Sequence, residues 1–179
     1  MKNIRPAQIA QIAKVGVLLG LAGGAAEIVW IAFYGSLAGS DAAEVARGVS
    51  TAVAWLLPAI PLSVAPVISG IVVHMVLAVG VGIVLAVAWR ELTARRPVPV
   101  NEYVFMVGAL TTIWAFNFFI ALPLISPTFV DLVPYPVSLM SKVLFGLAGA
   151  TALRYGAGSP TALIPIRTSD SHQMNSDPS

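Results

Sequence analysis

The feature that most constrains this chain is a long stretch without charge. Residues 48–89 contain no Asp, Glu, Lys or Arg. Soluble domains keep charged side chains on their surfaces, and about 25% of their residues are charged. Here the charged fraction is 10% and the mean hydropathy is +0.87. Much of the surface must therefore face lipid, and we predict an all-α integral membrane protein surrounded by a bilayer.

Prolines and apolar runs divide the chain into four predicted membrane spans. A helix rises about 1.5 Å per residue, so about 20 residues cross a hydrocarbon core of about 30 Å. Proline interrupts helix interiors, so the second span is expected to begin near Pro66 and the third to end before Pro123. The predicted four-helix bundle covers residues 15–155, between an N-terminal segment 1–14 and a disordered tail 156–179, with spans at about 15–37, 66–89, 103–122 and 135–153.

The connection between the first two spans predicts a further, amphipathic helix. Asp41 followed by Glu44 is a helix-start pattern. Apolar residues recur after it at helical spacing: Ala42, Val45, Ala46, Val49, Val53 and Leu56. Such a helix lies in the plane of a membrane interface. The sequence leaves open whether residues 49–65 stay at the interface or re-enter the membrane.

The basic residues predict the orientation of the spans. Cytoplasmic connections of membrane proteins are enriched in Lys and Arg. Arg47 is the only basic residue in the two connections on the other side. The remaining basic flanks are Lys2, Arg5 and Lys14 before the first span, Arg90, Arg95 and Arg96 between the second and third, and Arg154 after the fourth. We therefore predict both termini in the cytoplasm and a multi-pass protein of the cell membrane, or of the inner membrane in a bacterium.

Each predicted span contains one strongly polar side chain: Glu27, His74, Asn117 and Lys142. At about 1.5 Å per residue they lie about 15, 12, 9 and 9 Å below the outer boundary, which places them in one layer. A charged group near mid-bilayer costs about 2.5–3.5 kcal/mol, so Glu27 and Lys142 are expected to pair, with His74 and Asn117 bridging them. Ser141, next to Lys142, is expected to point elsewhere.

Aromatic and hydroxyl residues at helical spacing extend this layer into a candidate binding site. The site comprises Glu27, Trp30, His74, Trp114, Asn117, Ser138 and Lys142. Apolar walls with a few convergent polar groups are the general form of a small-ligand site. The alternative interpretation is a hydrogen-bond network that fixes how the helices dock.

Several classes of chemistry are excluded or unsupported. The chain has no cysteine, which removes disulfides, thiolate metal sites and cysteine nucleophiles. It has two histidines, and a haem held between two copies of His74 is disfavoured because an intramembrane His is expected to face the interior. No nucleotide-binding or hydrolase motif is present, and the scattered basic residues do not predict nucleic-acid binding. We predict no metal, no cofactor and no catalytic residue.

Three functions remain. The first is a non-catalytic subunit or assembly factor that docks on another membrane protein through its glycine faces and the proline-rich connection after the third span. The second is a small proton-coupled transporter that works as a homo-oligomer, with Glu27 and His74 exchanging protons. The third is a lipid- or quinone-binding enzyme, with Trp30, Trp114 and Phe145 holding a ring or an isoprenoid tail.

Overall fold

The structure is a computed structural model and describes residues 6–39, 41–53, 65–95 and 100–156. Every regular element in this part of the chain is helical, which confirms the all-α prediction. A π-helical turn at Asn117–Ala121 joins the helix that ends at Phe116 to the one that begins at Leu122. The helices are α1 (Pro6–Ala38), α2 (Ala42–Val53), α3 (Pro66–Arg95), α4 (Glu102–Phe116), α5 (Leu122–Ile125), α6 (Pro127–Leu132) and α7 (Tyr135–Gly156).

In the part of the chain that the structure describes, four helical segments are long and apolar enough to cross a membrane, and each contains one predicted span. They are Pro6–Ala38, Pro66–Ala94, Glu102–Ile125 and Tyr135–Tyr155. The first begins earlier than the apolar run at residue 15, because Pro suits the first position of a helix and the Ala, Gln and Ile residues that follow it tolerate helix. Beyond Gly156 the predicted tail lies outside the described residues.

The third span does not end at Pro123 as predicted but continues to Ile125. A proline inside an α-helix removes one hydrogen bond, and its ring collides with the carbonyl one turn earlier. Here the turn before Pro123 is wider, and the N–H of Leu122 bonds to the carbonyl of Asn117, five residues back. The π-helical turn thus accommodates the proline, and the helix passes through it.

Helix α1 is the centre of the bundle. It packs against α3 on one side and α7 on the other, while α7 also packs against α4. Helices α3 and α4 touch each other little. Neighbouring helices in the bundle therefore follow the order α3, α1, α7, α4.

Glycines bring α1 and α3 into backbone contact. A Cβ added at Gly20 would lie 2.5 Å from the carbonyl oxygen of Ala78, and one added at Gly16 would lie 2.5 Å from the Cα of Ile83. A Cβ at Gly82 would overlap the carbonyl oxygen of Gly16. Small residues permit this approach, and close packing drives helix association in lipid.

Helix α2 begins at the predicted start and packs on α3. The Asp41 side chain accepts a hydrogen bond from the N–H of Ala43 at 2.8 Å and pairs with Arg47 at 2.9 Å. These contacts, the Ala43 N–H first and Arg47 second, hold the pKa of Asp41 below its usual range. A Cβ added at Gly70 of α3 would overlap the carbonyl of Ala46. The amphipathic helix is thus part of the bundle, while the predicted Leu56 lies outside the described residues.

Candidate functional site

The carboxylate of Glu27 is the centre of the buried polar site. Glu27 is 3% exposed. Its Oε1 accepts a hydrogen bond from Lys142 Nζ at 2.5 Å, across 115 residues of sequence. The predicted pairing of these two residues is therefore confirmed, and a charged hydrogen bond of this kind offsets part of the cost of burying both groups.

His74 approaches the other carboxylate oxygen without bonding to it. Its Nε2 lies 3.6 Å from Glu27 Oε2, beyond ordinary hydrogen-bond distance. The Nε2 atom is buried and has no hydrogen-bond partner in the part of the chain that the structure describes. Buried polar atoms nearly always have a hydrogen-bond partner. His74 Nε2 is therefore the atom of this site that an additional polar group would satisfy.

A cavity of about 310 Å³ adjoins these three side chains. Residues from α1, α2, α3 and α7 line it, together with Phe118 and Val133. Its polar side is formed by Glu27, His74, Ser138, Ser141 and Lys142. The rest of the lining is mostly aliphatic and includes Ile28, Ile31, Val45, Val49, Val67 and Ile71. The site therefore joins a polar centre to an apolar chamber, which α2 covers.

The three titratable groups of the site meet because each lies one helical turn from a close contact between two helices. Glu27 follows the α1 glycines on the same face. His74 precedes Ala78, whose carbonyl meets that glycine face, by four residues. Lys142 precedes Phe145, whose ring packs against Gly23, by three. We call the region around Gly16, Gly20 and Gly82 the glycine end, and the region around Glu27, His74 and Lys142 the cavity end.

The two tryptophans predicted for the site support helix α7 and do not line the cavity. Trp30 Nε1 donates to the carbonyl oxygen of Val137, and Trp114 Nε1 donates to Ser138 Oγ, each at 3.0 Å. Ser138 Oγ in turn donates to the carbonyl of Tyr135. Of these residues only Ser138 contacts the cavity. Trp30, Trp114 and Phe145 thus do not line this cavity, and the prediction that they hold a ring or an isoprenoid tail stays a prediction.

Asn117 does not join the polar layer, so the predicted bridge between it and His74 is wrong. It follows directly after α4, which packs chiefly against α7 and touches α3 little. Asn117 also opens the π-helical turn, which changes the direction of the side chains that follow. The next residue, Phe118, is the one that reaches the cavity.

Ser141, which was expected to point elsewhere, belongs to the site. Its Oγ lies 3.0 Å from Glu27 Oε1 and 2.8 Å from the carbonyl oxygen of Ser138, so its single proton can be donated to either. The helical spacing could have predicted this position, because Ser141 lies three residues after Ser138 and four before Phe145, on the same helix face.

These features indicate the structural class of the protein. Four apolar helices that enclose an ion pair are typical of a multi-pass helical membrane protein. Within the described residues, no group of three or more His, Asp and Glu side chains could hold a metal ion. Comparison with protein-family models, with curated proteins and with solved structures finds no match for this chain.

Proposed function

We propose that this protein binds a small, largely apolar ligand within the membrane, with the polar head of the ligand at Glu27, His74 and Lys142. The observation that carries the proposal is the buried His74 Nε2, which has no partner in the described structure and adjoins a cavity of about 310 Å³. Ligand pockets are typically about 300–1,000 Å³, mostly apolar, with a few polar groups that fix orientation. This chamber has that composition at the small end of the range.

The proposal includes the topology predicted from the basic residues. Both termini lie in the cytoplasm, and α2 lies near the outer interface of the cell membrane, where it covers the cavity. Support comes from the basic residues that flank the N-terminal end of α1 and the C-terminal ends of α3 and α7. A ligand would then enter from the outer leaflet rather than from the cytoplasm.

Ligand retention in cavity-filling variants tests the proposal. Val49 lines the cavity from α2, whereas Val76 on α3 is 65% exposed on the outer surface of the bundle. The same substitution at both positions gives a matched pair, Val49→Trp and Val76→Trp. Protein purified in native lipid particles is extracted with organic solvent, and the extract is measured by mass spectrometry. Wild type and Val76→Trp should retain an enriched compound that Val49→Trp lacks; equal extracts from all three would contradict the proposal.

Proton-coupled transport is a second candidate, supported by the contact between titratable groups. Glu27, His74 and Lys142 meet inside four helices long enough to span a membrane, where ionisable residues commonly mark proton pathways. Proteoliposomes with an imposed pH gradient and an internal pH dye provide the test. Wild type should dissipate the gradient and Glu27→Gln should not, while equal dissipation by the folded variant would remove this candidate.

The non-catalytic subunit predicted from the sequence stays a prediction, although two surfaces offered for docking are used within the chain. The glycines of α1 pack against α3 and α7. The connection after the third span forms α6, which contacts α2. A partner would therefore need another face, and affinity purification from native membranes with protein mass spectrometry tests whether one exists.

A further inference from the structure

We infer that the ligand is a long-chain alcohol: one aliphatic chain with an uncharged hydroxyl head. This inference rests on the ligand site proposed above and specifies its chemical class. Three features of the site lead to it: its charge balance, its remaining hydrogen-bond capacity and the composition of its walls.

The charges at the site balance without a ligand. Glu27 from α1 and Lys142 from α7 form a pair, and His74 from α3 is the third titratable group at the cavity. On α2, Asp41 and Arg47 pair with each other outside the cavity lining. An anionic head would stand beside the Glu27 carboxylate and a cationic head beside the Lys142 ammonium. Either would add an uncompensated charge to a buried site, so a neutral head fits best.

The remaining hydrogen-bond capacity favours a hydroxyl. Lys142 Nζ carries three donors, and its hydrogen bond to Glu27 uses one of them. His74 Nε2 has no partner and is a donor or an acceptor according to the tautomer of the ring. A hydroxyl both accepts and donates, so it can bond to Lys142 and to either form of His74. A carbonyl only accepts and matches one of the two forms.

The walls of the cavity favour an aliphatic body. Apart from Glu27 and His74, the residues of α1, α2 and α3 that line it are Ile, Val, Ala and Gly, and Phe118 is the only Phe, Tyr or Trp among the described lining. The indoles of Trp30 and Trp114 are held against α7. A flat ring such as a quinone would therefore find a single phenyl face, that of Phe118, to stack on. A volume near 310 Å³ suits a single chain rather than a two-chain lipid.

A set of photoreactive probes that share one chain tests the head group. Each carries a diazirine on a dodecyl chain, and the heads are hydroxyl, sulfonate, trimethylammonium or none. The full chain in lipid nanodiscs is irradiated with each probe at equal mole fraction, and labelled peptides are quantified. We expect the alcohol to label α1, α2 and α3 residues of the cavity about ten-fold or more above either charged probe. Unlabelled dodecanol should compete, and decylubiquinone at equal mole fraction should compete less well.

The outcomes separate this inference from the function on which it rests. Cavity labelling strongest with the sulfonate or ammonium probe, or stronger competition by the quinone, overturns the alcohol assignment but leaves a ligand site. No cavity labelling above that of Val49→Trp with any probe overturns both. Preference for the alcohol over the headless alkane should disappear in His74→Leu while labelling by the alkane persists. Unchanged preference in that variant would place the head elsewhere and overturn the assignment.

Discussion

At one end of the bundle, α1 and α3 touch backbone to backbone; at the other, the same two helices line a cavity. The glycine end places Gly16 and Gly20 directly on α3, with no room for a Cβ. The cavity end holds Glu27, His74 and Lys142 beside about 310 Å³ of space under α2. The difference teaches that the close backbone contact fixes the two helices, so that the polar groups about two turns further along meet at a fixed geometry.

The two ends should also differ in how they respond to substitution. Close backbone packing loses stability when atoms are added, because the contact has no free volume. Around a buried ion pair, the protein loses stability when one partner is removed, because the other charge stays buried without a counter-charge. The following experiments use these opposite sensitivities.

The largest effect is expected for Lys142→Met at the cavity end. It leaves the Glu27 carboxylate buried without its counter-charge and should lower the free energy of unfolding by about 3–5 kcal/mol. The measurement is unfolding by steric trapping in bicelles. Arg154→Met is the matched control, since Arg154 is 52% exposed and lies 3.4 Å from Glu102, a contact worth about 0–1 kcal/mol. Adding Glu27→Met should restore most of the loss, and strictly additive losses would argue against a coupled pair.

A smaller loss is expected for Gly82→Ala at the glycine end. The new methyl group meets the backbone of Gly16 and Gly20, and separating the helices should cost about 1–3 kcal/mol. Gly80→Ala on the same helix is the control, because a Cβ there meets nothing within 4 Å. Alanine is about 1 kcal/mol better than glycine in a helix, so Gly80→Ala should be neutral or stabilising. Equal midpoints of thermal unfolding in detergent would show that the close contact is absent.

Ser138→Ala should cost about 1 kcal/mol, since it removes the acceptor of the buried Trp114 Nε1. The cost is modest because Ser138 borders the cavity, where water can replace the hydroxyl. Thr112→Val is the control, because its hydroxyl bonds only within its own helix, to the carbonyl of Gly108, on an exposed face. Near-ultraviolet circular dichroism of the indoles during thermal unfolding measures both variants. A loss as large as that of Lys142→Met would mean that the cavity does not admit water.

The smallest effect concerns the start of α2, outside the membrane spans. The pKa of Asp41 is lowered by the Ala43 N–H and by Arg47. Its stabilisation of α2 is therefore present above the ordinary value of 3.8 and is lost as pH falls through the lower pKa of the folded state. Hydrogen exchange of the α2 amides, corrected for intrinsic pH dependence, should accelerate across that range in wild type. Asp41→Asn should show no such step, whereas Glu44→Gln should keep it.

The sequence predicted the helices and the central ion pair because both follow from one-dimensional rules. Apolar length fixes where a helix can span, and a buried Glu in one span calls for a cation in another. The start of α2 followed from Asp41 and Glu44 in the same way. No knowledge of which helices are neighbours was needed for any of these.

Several departures from the prediction depend on which helices are neighbours. Depth alone placed Asn117 beside His74, but α4, which precedes Asn117, packs mainly against α7 and touches α3 little. Trp30 and Trp114 were placed on the site face, yet each indole N–H bonds to α7. The π-helical turn before Pro123 also changed the register, which the α-helical spacing of the sequence does not reveal. Helix order and register are tertiary properties, set by packing that one sequence does not display.

The distance along the chain between Glu27 and Lys142 has a consequence for how the protein is made. Helix α1 is synthesised first, and its carboxylate must remain in or near the bilayer until α7 follows it, 115 residues later. At roughly 5–20 residues per second, synthesis of that interval takes about 6–23 s. During this time Glu27 has no lysine partner, and pairing is the event that ends it. A chain interrupted before α7 would therefore keep in its first helix an acid that lacks its lysine partner.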